Sequence, residues 1–101
     1  MLEMIGKIIR HRPESVDVLR NNEVLEGAIL RWIEIIGEAA SKISDTTTQE
    51  HPEVPWSDIV GIRNRLIHGY PTVNLSLVWG VIENNLETLR TQIEKILEQF
   101  T

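Results

Sequence analysis

The 101-residue chain has no cysteine. A disulfide framework and a thiolate metal site are therefore both excluded, and the absence fits a reducing cytosol. No apolar run approaches the roughly 20 residues of a membrane span. The first residues, Met1 to Arg12, mix charges with apolar side chains and lack the ordered regions of a signal peptide. A cytoplasmic setting without a membrane partner is the expectation. There is no H-E-x-x-H, no cluster of aspartates suited to two metals and no glycine-rich phosphate loop, so neither a metal nor a cofactor is expected. No segment alternates with period two, and no internal repeat is present. Positive charge is scarce as well. A net charge of -5 argues against wholesale coating of nucleic acid, so any contact with RNA must be local. A helix-turn-helix DNA reader is a poor fit for the same reason.

What is present reads as one all-α domain over residues 1–101. Leu2, Ile5 and Ile9 recur at helical spacing in a short first helix that ends before Pro13. Lys7, Arg10, His11 and Arg12 gather at its C-terminal end, where cations suit the helix dipole and could also meet a phosphate. A short turn of helix follows Ser15, and Asn21-Asn22 caps a long helix over Glu23 to Ile43. Twelve residues between Val24 and Ile43 are apolar. That is more than one stripe needs, so the spacing predicts one face for the core and another for a partner chain. Arg31, Glu34, Glu38 and Lys42 share a polar strip, with Glu38 and Lys42 paired at i,i+4. The strip reads chiefly as solvated, with Glu34 and Glu38 as alternative cleft residues. Ser44 to Val54 is expected to be a loop, with His51 solvated in it. Pro55 opens a third main helix. From about Asn74 to Phe100, apolar residues follow at steps of 3 and 4 and predict one continuous last helix.

The stretch Arg63-Asn64-Arg65-Leu66-Ile67-His68-Gly69-Tyr70-Pro71 stands apart. No Asp or Glu occurs between Ile59 and Ile82, which leaves a positive island in an acidic chain. Gly69 and Pro71 predict a helix that stops at about His68, with Tyr70 in the loop. The carbonyls at such an end favour an imidazolium and should raise the His68 pKa. Histidine, arginine and a neighbouring amide suffice for cleavage of RNA without a metal. The 2′-hydroxyl attacks phosphorus, a base takes its proton, an acid protonates the departing 5′-oxygen, and a cation steadies the phosphorane. His68 can be base or acid, Arg63 can grip phosphate oxygens, Arg65 adds charge, and Asn64 can orient the ring or the nucleotide. Five helical steps place positions 63 and 68 about 140° apart around the axis. Either the arginine reaches round, or the helix loosens at its end, or the two residues meet across a two-fold interface. Because one histidine does not easily serve as both acid and base, a homodimer with a shared cleft is expected. A purely structural role is the alternative: His68 capping the last carbonyls and Arg63 an ion-pair partner at the core edge.

Arg63 through Tyr70 matches Arg-x-x-x-x-His-x-Tyr, and with it the chain resembles the HepT-like toxins of the HEPN superfamily. Ile33 to Ala40 (I-E-I-I-G-E-A-A), His51 to Tyr70 and Val73 to Trp79 look like family text in family order. The likeness runs from about Ser15 to the C-terminus. It implies a four- to five-helix HEPN-like bundle, homodimeric, acting as a metal-independent endoribonuclease toxin of a type VII toxin–antitoxin pair. The implied catalytic pair is Arg63 and His68, with Asn64 as the polar residue after the arginine. The implied partner is an MntA-like nucleotidyltransferase antitoxin that transfers adenylyl groups to Tyr70. A phosphodiester two residues from His68 would add negative charge and bulk where substrate phosphate binds. Two features depart from the family: Pro71 stands where an aromatic residue is common, and the first helix is short. The alternative function is a catalytically inactive helical dimer that binds a nucleotidyltransferase.

Overall fold

The computed structural model of the chain describes residues 1–69 and 75–99, with positions 68 and 69 given by their backbone alone. Seven helices and no strand lie among the described residues. They are α1 (Leu2–His11), α2 (Val16–Arg20), α3 (Glu23–Ser41), α4 (Asp45–Glu50), α5 (Trp56–Gly69), α6 (Leu75–Asn84) and α7 (Leu86–Glu98). The all-α bundle expected from the periodicity is therefore present.

Local chemistry sets the helix starts. Ser15 Oγ accepts from the Val18 amide at 3.3 Å and Asn22 Oδ1 from the Leu25 amide at 3.0 Å, capping α2 and α3. The loop expected over Ser44 to Val54 is instead largely helical. Ser44 Oγ accepts from the Thr47 amide at 3.2 Å, Asp45 sits in the first turn, and α4 forms on those caps. None of its residues is buried, so no apolar period announced it. His51, expected in solvent, is 9% exposed. Its carbonyl accepts from the Trp56 indole at 2.9 Å, and its Nδ1 lies 3.3 Å from a Glu53 carboxylate oxygen. This joint pins the entry to α5, whose first turn closes with the Ile59 amide donating to the Pro55 carbonyl.

The last helix, expected as one piece, is two. Asn85 interrupts it with φ -121° and ψ -24°. Asn84 and Asn85 compete for backbone hydrogen bonds and propagate a helix poorly, which accounts for the break. The i→i-4 ladder still passes through, because Asn85 N donates to Val81 O and Leu89 N to Asn85 O, each at 2.9 Å. The apolar seam survives: Leu75, Val78, Ile82, Leu86, Leu89, Ile93 and Ile96 are all buried. The expected ends at Asn74 and Phe100 lie outside the described residues.

α3 is the spine. It packs against α5 on one side and against α1 and α2 on another, while α1 also meets α7 and α2 meets α6. Ile5, Ile8, Leu19, Ile29 and Ile82 are fully buried between these layers. Part of the α3 surface beyond the α5 contact is covered by α1, while Ala28, Trp32, Ile35 and Ala39 stay half-buried. Of the large apolar residues of α3, only Val24 stands wide open, at 84% exposure.

The α3–α5 contact is tightest at Gly37. A Cβ there would overlap the Cβ of Arg63 and come within 3.0 Å of both Arg63 Cγ and the Ile59 carbonyl oxygen. Gly27, on the same helix, has nothing within 4 Å of its would-be Cβ. We expect Gly37→Ala to destabilise the fold by about 1–3 kcal/mol through overpacking. Gly27→Ala should stabilise it by about 0.5–1 kcal/mol through helix propensity. Urea denaturation of both variants checks the pair, and equal shifts would contradict the close crossing.

Candidate active site

α5 carries the central stretch on a helix whose faces divide cleanly. Leu66 is buried in the core, Asn64 and Arg65 are exposed, and Ile67 is 44% exposed. Arg63 faces α3. Because Gly37 offers no side chain, the aliphatic stem of Arg63 lies against the α3 backbone, and its guanidinium reaches the next residue, Glu38. Glu38 Oε2 accepts from Arg63 Nη2 at 2.7 Å and from Nε at 2.9 Å. Arg63 Nη1 donates to the Asn64 side-chain oxygen. The other Glu38 oxygen lies 3.9 Å from Lys42 Nζ, so the expected i,i+4 pair also forms.

Two expected site residues, Arg63 and Asn64, are therefore brought into contact, and Arg65 lies on the exposed side of the same helix. The helix expected to stop at about His68 runs one residue further, through Gly69. Position 68 thus stays in helical register, about 140° round the axis from position 63. Loosening of the helix end does not resolve the geometry. The side chain of His68, and Tyr70 entirely, lie outside the described residues, as does any effect of the helix end on the His68 pKa. The ion pair anticipated for a structural Arg63 does form. The partner, Glu38, was not identified from sequence as the residue Arg63 meets. Its signal was a glycine in mid-helix followed by an acid, on a helix otherwise rich in Ile and Ala.

Beside the end of α5, a shallow groove runs between α3 and α5, lined by Gly27, Leu30, Arg31, Glu34, Leu66 and Ile67. Arg31 and Glu34 close on each other across one turn at 2.8 Å. Among the described residues, no three His, Asp or Glu side chains converge as metal ligands would. No described helix is long and apolar enough to cross a membrane.

Comparison with known proteins gives a consistent result. The model of one family, described as ribonuclease HepT-like, matches residues 1–96, beginning earlier than the Ser15 suggested by the motif text. A protein of Caldanaerobacter subterraneus subsp. tengcongensis that carries a provisional RNase name is 38% identical over 75% of this chain and 68% of its own length. A provisionally named RNase of Methanocaldococcus jannaschii is 35% identical over 73% of this chain and 68% of its own. The probable ribonuclease HepT of Thermococcus cleftensis is 35% identical over 68% of this chain and 63% of its own. The chain thus spans about two thirds of the length of these relatives. No solved structure matches it.

The Arg63 hydrogen bonds and then its charge hold the Glu38 carboxyl below its ordinary value of 4.5, with Lys42 and Arg31 assisting and desolvation opposing. A carboxylate lowered in the folded state contributes stability that is complete above its unfolded value and is lost as pH falls through the folded one. The stability difference between wild type and Glu38→Gln should therefore be constant near neutral pH and narrow once pH drops below 4.5. Urea midpoints measured across that range test this. A gap that persisted at the acid end would assign the contribution to something other than the carboxylate charge.

Proposed function

The chain belongs to the HepT-like ribonuclease family, and from that premise we propose that it is a metal-independent endoribonuclease in which Arg63 and His68 carry the chemistry. In this reading the ribose 2′-hydroxyl attacks the adjacent phosphorus and the bond to the 5′-oxygen breaks. The products are a 2′,3′-cyclic phosphate and a 5′-hydroxyl, so no water is consumed in the cleavage step. One imidazole removes the 2′ proton and another donates a proton to the leaving oxygen, while Arg63 steadies the equatorial oxygens. Asn64, in contact with Arg63, orients the site, and Arg65 adds charge along the exposed strand path. The observation that carries the reading is the whole Arg63-to-His68 stretch lying on one unbroken helix, inside a family match that covers residues 1–96.

Two copies of the His68 imidazole require two chains, and we propose a homodimer. Its proposed contact is at the end of α5, next to the half-buried apolar residues of α3. There Ile67, the neighbour of position 68 in the chain, leaves apolar surface at 44% exposure, and Val24 in the first turn of α3 adds apolar surface at 84%. The proposed biological role is a cytoplasmic toxin of a type VII pair, silenced when an MntA-like nucleotidyltransferase adenylylates Tyr70. The rival reading, an inactive dimer that serves as a binding partner of the nucleotidyltransferase, draws on the engagement of Arg63 by Glu38, which a merely structural arginine would share.

A cleavage assay on purified protein with chelator present separates the two. Wild type should cut RNA, and Arg63→Ala or His68→Ala should slow it about 10²–10⁴-fold while remaining folded and dimeric. Equal rates for all three would remove the nuclease reading. Incubation with the nucleotidyltransferase and ATP should raise the intact mass by adenylyl increments, and Tyr70→Phe should abolish the increase. An unchanged increase in that variant would place the modification elsewhere.

A further inference from the structure

We propose that Glu38 is a positioning residue: it holds the Arg63 guanidinium in the plane from which that group meets a phosphate, at some cost in affinity for the phosphate. The inference rests on the nuclease reading and adds a residue to it. An arginine side chain has five N–H donors in a rigid planar fork. Among the described residues, Glu38 Oε2 takes Nε and Nη2 and Asn64 takes one from Nη1. Two donors converging on one oxygen fix the direction of the fork, and the Nη1 bond to Asn64 removes the remaining rotation about that axis, so the plane is held. The stem is fixed as well, because the α3 backbone at Gly37 blocks its movement on that side. The donors left over sit on the two terminal nitrogens, facing away from Glu38, and are those available to an incoming phosphate.

The same arrangement sets a charge conflict. The Arg63 guanidinium and the Glu38 carboxylate touch at 2.7 Å with no room for water between them, so the carboxylate offsets part of the cation that a phosphate would feel. The charged groups facing Glu38 are Arg63 from α5 and Lys42 and Arg31 from α3. A site built for grip alone would leave Arg63 unpaired. A site built for reaction benefits from fixed orientation, since misplacement of a catalytic group by about 1 Å can cost 10²-fold in rate. Glu38 therefore trades ground-state binding for alignment in the transition state.

The decisive variant is Glu38→Gln, alone and combined with Arg63→Ala, studied on two probes. The first is a cleavable RNA. The second is the same strand with 2′-deoxy at the cut site, which binds without reacting. For the cleavable strand we expect kcat to fall about 10–100-fold with KM unchanged or lower. The 2′-deoxy strand should bind about two- to five-fold more tightly to Glu38→Gln than to wild type. In the Arg63→Ala background both effects should vanish, because Glu38 acts only through Arg63. A raised KM with unchanged kcat, or an effect of Glu38→Gln that is the same with and without Arg63, would overturn the proposal. If wild type cuts nothing, the nuclease reading fails by itself. The 2′-deoxy strand then decides the charge conflict between Glu38 and Arg63: a Glu38→Gln effect on binding that depends on Arg63 upholds it, and no such dependence overturns it. Gly37→Ala, which displaces the Arg63 stem with the carboxylate intact, gives a second route. Folded protein of that variant should show the same loss of kcat, and an unchanged kcat would also count against the proposal.

Discussion

Two helices approach this closely only where one of them lacks a side chain, and the crossing of α3 over α5 at Gly37 is the contact on which the rest of the molecule depends. Without it, Arg63 would stand off from α3 and its guanidinium would not reach Glu38. With it, a long and flexible side chain is held along its whole length, by backbone at the stem and by a carboxylate at the head. The crossing also aligns α5 against the spine of the bundle, so Leu66 enters the core while Asn64 and Arg65 remain at the surface. One missing methyl group thus links packing, the orientation of a cation and the exposure of a candidate strand path.

The main helices were legible in the sequence because each carries an apolar stripe of helical period. Ile5 on α1, Ile29, Ile33 and Ile36 on α3, and the seam from Leu75 to Ile96 are buried where the period places them, while on α1 Ile8 is buried and Leu2 and Ile9 only half-buried. The features that escaped have no such period. α4 forms on hydrogen bonds from Ser44 and Thr48 and buries nothing. The break at Asn85 leaves the apolar spacing untouched, so the stripe alone could not reveal it. His51 is buried by the turn into α5 rather than by any pattern around it.

The candidate site was legible in part for a related reason. Arg63 and Asn64 are neighbours in the chain, and their contact is local. Glu38 lies 25 residues from Arg63, and only the tertiary crossing brings the two together. From α3 alone, Glu38 had an adequate partner in Lys42, which it also meets. The apolar excess on α3 is ambiguous for the same reason. A helix with two greasy faces can be flanked by its own chain on both sides, and α1 supplies a second neighbour.

The contact between α1 and α7 has a bearing on how the molecule comes into being. Ile5 and Ile8 are fully buried, yet α1 meets one of its neighbours only across more than seventy intervening residues. Pairing across so long a loop is closed late, because its entropy cost precedes its reward. A nascent chain holding only the first five helices would carry the Arg63 stretch without α6 and α7 to close the core around it. Completion of the bundle then awaits synthesis of residues 86–98. An enzyme arranged in this way reaches its full fold only after the seventh helix has emerged from the ribosome.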